Sequence, residues 1–307
     1  MQQASSAEAR IRFHFSPAFP PRLAGLVALT KPRIIELLLI TTVPAMFVAS
    51  PTVPSFRLVA LTVIGGTCAA GGANAFNMLY DRDIDAMMDR TKSRPLVSGT
   101  VTPAQAFALA LALEVGAFVL LWQTVNLISA VLSLAAATFY VFIYTMWLKR
   151  RFSSNIVIGG AAGAVPALVG WSAVTGHLSL SAWVMFALVF AWTPPHFWAL
   201  AIRYRDDYSR ASVPMLPSVC STSKVVRQII AYTVVVVALS ILLVFTTHLG
   251  WAFFGFAVVL GAGFFAYAFL LRSDPSPRRA MHLFGYSITY LTVLFLAMGA
   301  IAIVEHP

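Results

Sequence analysis

Long apolar runs, separated by short polar segments, recur along the whole chain of 307 residues. A run of about 20 apolar residues is long enough to cross the hydrocarbon core of a bilayer as a helix. Nine runs come close to that length, near residues 34–51, 56–79, 103–123, 126–147, 155–175, 180–201, 225–247, 250–271 and 281–303. With 59% hydrophobic and only 10% charged residues, the sequence predicts an all-α integral membrane protein.

The polar segments between the runs are too short to fold alone. We therefore expect a single membrane domain over residues 30–307, preceded by a flexible cytoplasmic tail over residues 1–29. That tail lacks the compact apolar core and small-residue cleavage site of a secretory signal peptide. The two cysteines, Cys68 and Cys220, do not indicate a disulfide framework.

The basic residues indicate how the helices are oriented. Of the 21 lysines and arginines, all except Arg57 fall in segments that would lie on one side of the membrane: 1–33, 80–102, 148–154, 202–227 and 272–280. By the positive-inside rule this side is cytoplasmic, which puts the N-terminus in the cytoplasm and the C-terminus on the opposite side. The net charge of +10 then reflects orientation and contact with anionic lipid, and no nucleic acid is expected as a partner. We expect a multi-pass protein of a bacterial inner membrane.

An acidic segment follows directly after the second predicted span. Asn77, Asp81 and Asp85 are spaced four residues apart, so a helix presents their side chains in one column. Oxygen ligands in this arrangement suit Mg²⁺, which keeps some of its waters and is commonly shared with substrate phosphates. Arg90 and Arg94 follow where their guanidinium groups can bind the same phosphates. A solvated helix end with mixed charges is the alternative, and we favour the metal site.

A second polar group closes the sixth predicted span. His196, Arg203 and Asp207 are separated by seven and four residues, so a continuing helix would place them on one face. Such a set suits the binding of a diphosphate or a propionate, or a proton transfer. An aromatic membrane belt around Trp192 and Trp198, with an interfacial histidine, is the alternative interpretation.

Six of the seven aspartates lie in these two acidic segments. A bundle that gathers both segments at its cytoplasmic face has a polar mouth above an apolar interior. Such a cavity suits a substrate with a water-soluble head group and a hydrocarbon tail. Lys149 lies in the short basic loop between the two segments. We interpret this loop mainly as a determinant of topology and, in addition, as a candidate contact to phosphate. Glu114 is predicted in the middle of the third span, either as a functional carboxylate or as a buried packing residue.

Several motifs together resemble the UbiA-type membrane prenyltransferases, over nearly the whole chain. The acidic column and the Arg90-x₃-Arg94-Pro95 that follows it carry the resemblance to that superfamily. Further segments are similar to one of its branches, the protoheme IX farnesyltransferases: Asn74–Asn77, Trp147–Arg150, Asn155–Ala164, Pro194–Trp198 and Asp206–Tyr208. Two positions depart from the superfamily pattern, because Arg203 stands where relatives that act on quinone precursors carry an aspartate and His196 stands where they carry an acidic residue.

The resemblance implies nine helices around a central cavity and an enzyme that transfers a farnesyl group from farnesyl diphosphate to a vinyl group of haem b, with hydration, producing haem O. The implied metal ligands are Asn77, Asp81 and Asp85, which would hold Mg²⁺. The implied catalytic residues are Asp81, Asp85, Arg90, Arg94 and His196. The implied substrate-binding residues are Asn77, Lys149, Arg203 and Asp207. Besides the lipid bilayer, haem A synthase or a terminal oxidase assembly factor is the implied partner.

Two other functions remain open at this point. A UbiA-type prenyltransferase acting on an aromatic quinone precursor would share the first motif. A membrane transporter is an alternative of a different class, but transport sites usually place ionisable groups near the middle of the membrane. Here the acidic groups sit at the inner ends of helices, and only Glu114 fits a transporter.

Overall fold

The computed structural model describes residues 20–247 and 249–305, the last residue in its backbone only. Within these ranges, nine helical stretches are long and apolar enough to cross a membrane, so the predicted number of spans is confirmed. The helices are α1 Pro21–Leu29, α2 Pro32–Ala49, α3 Phe56–Tyr80, α4 Arg82–Met87, α5 Pro103–Thr124, α6 Leu127–Thr138, α7 Lys149–Arg151, α8 Asn155–Thr175, α9 Leu180–Arg203, α10 Arg205–Arg210, α11 Leu216–Val219, α12 Thr222–Thr246, α13 Gly250–Leu270 and α14 Pro277–Glu305. A π-helical segment, Phe139–Leu148, joins α6 to α7 in one continuous span.

Short polar side chains begin several of the spans. Thr102 accepts a hydrogen bond from the backbone N–H of Gln105, whose side chain accepts one from the backbone N–H of Thr102, which forms a capping box at the start of α5. Asn126 caps α6 through the backbone N–H of Ser129. Because α5 ends at Thr124 and α6 begins at Leu127, only two residues, Val125 and Asn126, connect these two spans.

The spans close into a ring. Each span from α2 to α14 packs against the next along the chain, and α14 packs back against α2, so the two ends of the membrane domain meet. Apolar side chains such as Phe142 and Val259 are exposed on the outside, as suits a surface covered by lipid. The inner faces of α2, α3, α8, α9 and α14 surround a central space, which confirms the predicted architecture.

The segment predicted as a flexible tail is helical over its last residues, which corrects that prediction. Helix α1 covers Pro21–Leu29, and both Gly25 and Leu29 are buried. Its apolar face packs with Val101 and Ala106, so hydrophobic burial holds this segment against the loop before α5. Residues 1–19 lie outside the described residues.

One glycine allows two spans to approach closely. A Cβ atom on Gly170 of α8 would lie 2.1 Å from the backbone carbonyl oxygen of Thr42 on α2, and backbone atoms cannot rotate away. We therefore expect Gly170→Ala to force α2 and α8 apart and to lower the free energy of unfolding by ~1–3 kcal/mol, the usual cost of overpacking. The measurement is thermal unfolding in detergent. Gly116→Ala is the matched control, because nothing lies within 4 Å of a Cβ there. Equal melting temperatures for the two variants would contradict the assignment of this contact.

Candidate active site

The ring encloses a cavity of about 490 Å³. Most of its lining is apolar. Its charged side chains gather at one end, where α2 and α8 begin and where α3, α9 and the π-helical segment end. The cavity thus has the predicted form, a polar mouth above an apolar interior.

The acidic column lies at this mouth. The backbone N–H of Asp81 donates to the carbonyl of Asn77 (2.9 Å) and that of Asp85 donates to the carbonyl of Asp81 (2.8 Å), so the helical register continues from α3 into α4. The three side chains therefore share one face, as their spacing predicts, and all three are buried. Asn77 and Asp85 line the cavity, while Asp81 lies behind them with no exposed surface.

Each member of the column is paired with a different basic side chain. The pairs are Lys31 with Asn77 (2.6 Å), Lys149 with Asp81 (2.5 Å) and Arg94 with both carboxylate oxygens of Asp85 (2.7 and 2.8 Å). All three basic residues line the cavity. Three basic groups around two carboxylates favour an anionic ligand, and hydrogen bonds from charged donors to phosphate are among the stronger ones in proteins.

The oxygen atoms of the column can be compared with the ligands that a divalent cation needs. Asp81 Oδ1 is buried without a hydrogen-bond partner, and Nη2 of Arg150 lies 3.7 Å from it. Within the described residues no group of three His, Cys, Asp or Glu side chains is placed to hold a metal alone. Two carboxylates and one amide oxygen are, however, what Mg²⁺ needs when substrate phosphates and waters supply its other ligands. The residues present therefore fit Mg²⁺ shared with a phosphorylated ligand.

Lys31 belongs to this site, although the sequence analysis did not include it. It lies between α1 and α2 with a φ of 54°, in the left-handed region that a side chain with a Cβ rarely adopts. Burial among the helices, and then the positive charges of Arg94 and Lys149, lower the pKa of Lys31 to about 7. An anionic ligand next to its ammonium group would raise that pKa again.

The π-helical segment brings further groups to the column. Thr145 Oγ1 donates to the carbonyl of Tyr140, five residues earlier, and accepts a hydrogen bond from Asn77 Nδ2 at 3.0 Å. The rings of Tyr140 and Tyr144 stack at 5.4 Å between centroids and line the cavity beside the column. Tyr144 is accommodated because Gly159 has no Cβ, which would lie 2.2 Å from its ring. π-Helical turns occur often at functional sites, and a period of 3.6 residues does not predict them.

Arg90 lies at the cavity mouth, as predicted, but is held differently from Arg94. Its guanidinium group lies over the ring of Tyr204, 5.4 Å from the centroid, as in a cation–π contact. Tyr204 stands between α9 and α10, so this contact links the two acidic segments. The two arginines can therefore approach one ligand from different sides.

The second polar group is not assembled as the sequence predicts. Helix α9 ends at Arg203, and Tyr204, with φ −107° and ψ 26°, departs from helical geometry before α10 begins, although its backbone N–H still donates to the carbonyl of Leu200 at 3.3 Å. Arg203 is exposed and lines a separate pocket with Asp206, away from the cavity. The structure thus does not bring the predicted substrate-binding residue Arg203 together with the acidic column.

Asp207 connects the two acidic segments. It is buried and forms an ion pair with Arg210, which also pairs with Asp89 at 2.8 Å. Asp207 does not line the cavity, and through Arg210 it is linked to Asp89 of the first acidic segment. The sequence grouped it with the predicted ligand-binding residues because of its spacing and because of the family resemblance of Asp206–Tyr208.

His196 reaches the cavity, as predicted. The imidazole is buried between the rings of Trp192 (4.2 Å) and Phe284 (4.5 Å) and bonds through Nδ1 to Ser287 Oγ at 2.7 Å. Trp192 and Trp198 are both buried, so the alternative of an aromatic membrane belt does not apply to this segment. Ser287 was not expected, because α14 is far from α9 in the sequence.

Glu114 is a packing residue by position. It is buried against Gly72 of α3, and Cβ at that glycine would lie 2.9 Å from its Oε1. The side chain does not line the cavity. The feature that best fitted a transporter is therefore separate from the polar site.

Comparison with known proteins identifies relatives over most of the chain. The family model "UbiA prenyltransferase family" matches residues 38–302. A protoheme IX farnesyltransferase of Streptomyces avermitilis is 50% identical over 92% of this chain and 94% of its own length. A protein of the same name from Frankia alni is also 50% identical, over 92% of this chain and 99% of its own.

Solved structures show the same fold at low sequence identity. A digeranylgeranylglyceryl phosphate synthase matches with a TM-score of 0.77 and 18% identity, over 93% of this chain and 100% of that one. A UbiA homolog from Archaeoglobus fulgidus, solved with GPP and Mg²⁺, matches with a TM-score of 0.65 and 18% identity, over 91% of this chain and 99% of that one.

Proposed function

Since this chain belongs to the UbiA prenyltransferase family, in the branch of the protoheme IX farnesyltransferases, we propose that it transfers a farnesyl group from farnesyl diphosphate to a vinyl group of haem b, with hydration, giving haem O. One observation carries the proposal. A buried acidic column, paired with three basic side chains, lies at the mouth of an otherwise apolar cavity. A diphosphate with a long hydrocarbon chain matches both parts of that cavity.

The basic side chains at the mouth hold the leaving group. Lys31, Arg90, Arg94 and Lys149 all line the cavity and can donate charge-assisted hydrogen bonds to diphosphate oxygens. As the allylic carbon–oxygen bond breaks, negative charge grows on the diphosphate. Preorganised cations stabilise the diphosphate of the transition state, which carries more negative charge, more strongly than the diphosphate of the bound substrate. This difference lowers the barrier and accelerates the reaction.

Asn77, Asp81 and Asp85 would hold Mg²⁺ against the same diphosphate. When bound, the metal supplies Lewis-acid stabilisation of the leaving oxygens. The solved Archaeoglobus fulgidus homolog bound to GPP and Mg²⁺ supports the pairing of these two ligands in this fold. The unpartnered Oδ1 of Asp81 supports it for this chain.

The transfer step then needs no covalent intermediate with the protein. The electrons of the allylic carbon–oxygen bond leave with the diphosphate, and the π electrons of the haem vinyl group form the new carbon–carbon bond. Water adds to the cation left beside the porphyrin ring and loses one proton, which gives the hydroxyethylfarnesyl group. The stacked rings of Tyr140 and Tyr144 lie beside the column, where their faces can stabilise the allylic cation.

The orientation of the protein is part of the proposal. The excess of basic residues in the segments around the cavity mouth supports a cytoplasmic active site in a bacterial inner membrane. Haem A synthase or a terminal oxidase assembly factor would then receive haem O.

The test is a product assay with purified protein in liposomes. Haem b, farnesyl diphosphate and Mg²⁺ are supplied. The haems are then extracted, separated by chromatography and identified by mass spectrometry. We expect a peak at the mass of haem O that disappears when EDTA removes the metal. A parallel reaction with 4-hydroxybenzoate in place of haem b tests the quinone-precursor alternative. Prenylation of 4-hydroxybenzoate without formation of haem O would overturn the proposed acceptor.

A further inference from the structure

The imidazole of His196 is held by three contacts that fix both its plane and its rotation. Trp192 stacks on one face, with 19° between the planes, and Phe284 stacks on the other, with 23°. Nδ1 is 2.7 Å from Ser287 Oγ, so the Nδ1 edge is turned towards α14. Since His196 also lines the cavity, the opposite edge, which carries Nε2, is the one left to face it.

The hydrogen bonds of Ser287 assign the proton on this ring. Ser287 Oγ lies 2.6 Å from the carbonyl oxygen of Phe284, which has no hydrogen to donate, so the single hydroxyl proton must lie in that contact. The 2.7 Å contact with His196 then needs a proton from the ring. The imidazole is therefore the Nδ1–H tautomer, and Nε2 carries a free lone pair. Within residues 20–247 and 249–305, no side chain or backbone group donates to that lone pair.

We propose that Nε2 of His196 binds the iron of the acceptor haem b as an axial ligand, an inference that rests on the proposed function. Ser287 acts as a positioning residue for the imidazole. Imidazole nitrogen is the commonest axial ligand of haem iron. A histidine that binds a metal almost always donates its other ring N–H to an acceptor, which fixes the tautomer and raises the basicity of the ligand. Here that acceptor is Ser287, and the two flanking rings present only the Nε2 edge to the cavity.

The cavity lining supports His196 as the iron ligand. Among the described residues that line it, His196 is the one histidine, and neither cysteine is present. Helices α9 and α14, which carry His196 and Ser287, also supply apolar lining residues such as Leu200 and Ile288. An apolar wall with one neutral imidazole edge suits a flat, largely apolar iron porphyrin.

The experiment measures haem binding without farnesyl diphosphate, so that it does not depend on turnover. Ferrous haem b is added to the full-length protein in detergent, and resonance Raman spectroscopy records the iron–imidazole stretching band. We expect the band in the wild type and its loss in His196→Ala. Imidazole added to His196→Gly should restore it. His282→Ala, an exposed histidine on α14, is the matched control and should keep the band.

Metal-free protoporphyrin IX separates ligation from packing. We expect His196→Ala to weaken the binding of haem b by at least about tenfold, within the range of effects on metal affinity, and to leave the binding of metal-free porphyrin unchanged. Equal losses for both porphyrins would overturn iron ligation in favour of a packing role.

Ser287→Ala tests the positioning residue. Loss of the acceptor of Nδ1–H should make the ligand less basic, so the stretching band should move to lower frequency while metal-free porphyrin still binds. An unmoved band would overturn the role of Ser287.

A wild-type protein that makes haem O but shows no iron–imidazole band would overturn the ligation and leave the proposed function standing. A band in a protein that makes no haem O would support ligation and reject the proposed reaction.

Discussion

Asp81→Asn and Asp85→Asn are each expected to lower kcat by about 10²–10³-fold, the usual loss when one preorganised electrostatic group is removed from an active site. Asparagine keeps the size of the side chain and removes its charge. The carboxylates are fully or almost fully buried and hold Lys149 and Arg94, so their loss removes metal ligands and releases two of the basic groups that bind diphosphate. The measurement is haem O formation at saturating farnesyl diphosphate over a series of Mg²⁺ concentrations.

The concentration of Mg²⁺ at half-maximal rate should rise in both variants, because each loses a charged ligand. Asp83→Asn is a matched control on the same short helix. Asp83 is largely exposed, and hydrogen bonds from Arg150 lower its pKa to about 2, so this substitution also removes a full negative charge at neutral pH. Its position on the outer side of α4 predicts little change in rate. Near-normal rates and unchanged metal dependence in both Asp81→Asn and Asp85→Asn would reject the metal site.

The acidic column shows what the sequence predicts well. Its spacing is local, and the helical register that the spacing assumes does continue from Asn77 through Asp81 into α4. The spans are similarly local features, because lipid requires each one to satisfy its own backbone hydrogen bonds. Their observed ends, such as Pro32–Ala49 for the predicted 34–51, differ by a few residues. Boundaries depend on caps and on packing, which hydropathy alone does not contain.

The second polar group shows where the sequence fails. A spacing of four residues between Arg203 and Asp207 predicts a shared face, but Arg203 is exposed and Asp207 is buried, and the backbone departs from helical geometry at Tyr204 between them. The π-helical geometry of Phe139–Leu148 is not predicted for a related reason, because the predicted span 126–147 assumes 3.6 residues per turn. Ser287 and His196 are 91 residues apart and meet because α14 packs against α9, and spacing within one helix carries no signal for such a contact.

Lys31 was not predicted as a site residue, and the sequence places it in the basic segment 1–33 that indicates topology. Its partner Asn77 is 46 residues away in the sequence. The contact depends on the sharp turn of the backbone at Lys31, between α1 and α2. A signal was nevertheless available: a lysine directly before a proline at the start of a span lies at a helix N-terminus, where its side chain can reach neighbouring helix ends. The strained backbone at this residue is typical of functional sites.

Lys31→Ala is expected to raise the KM for farnesyl diphosphate by roughly ten- to hundredfold, since a hydrogen bond to a charged group is worth about 1.5–3 kcal/mol. Lys31→Arg keeps the charge and should recover part of the affinity. Lys92→Ala is the control and should leave KM nearly unchanged, because Lys92 does not line the cavity and its side chain is 61% exposed and pairs with Asp89. Steady-state kinetics with varied farnesyl diphosphate measure these differences.

The strain at Lys31 gives a second, independent measurement. Glycine adopts a φ of 54° without the penalty that a Cβ imposes, so Lys31→Gly should unfold at a higher temperature than Lys31→Ala, by an amount equivalent to ~1–2 kcal/mol. Both variants should nevertheless bind farnesyl diphosphate equally poorly, because both lack the ammonium group. A Lys31→Gly protein that is stable but has normal KM would show that Lys31 shapes the backbone and does not bind the diphosphate. Stability gained together with affinity lost would mean that the strained backbone is retained because it directs the ammonium group at the substrate.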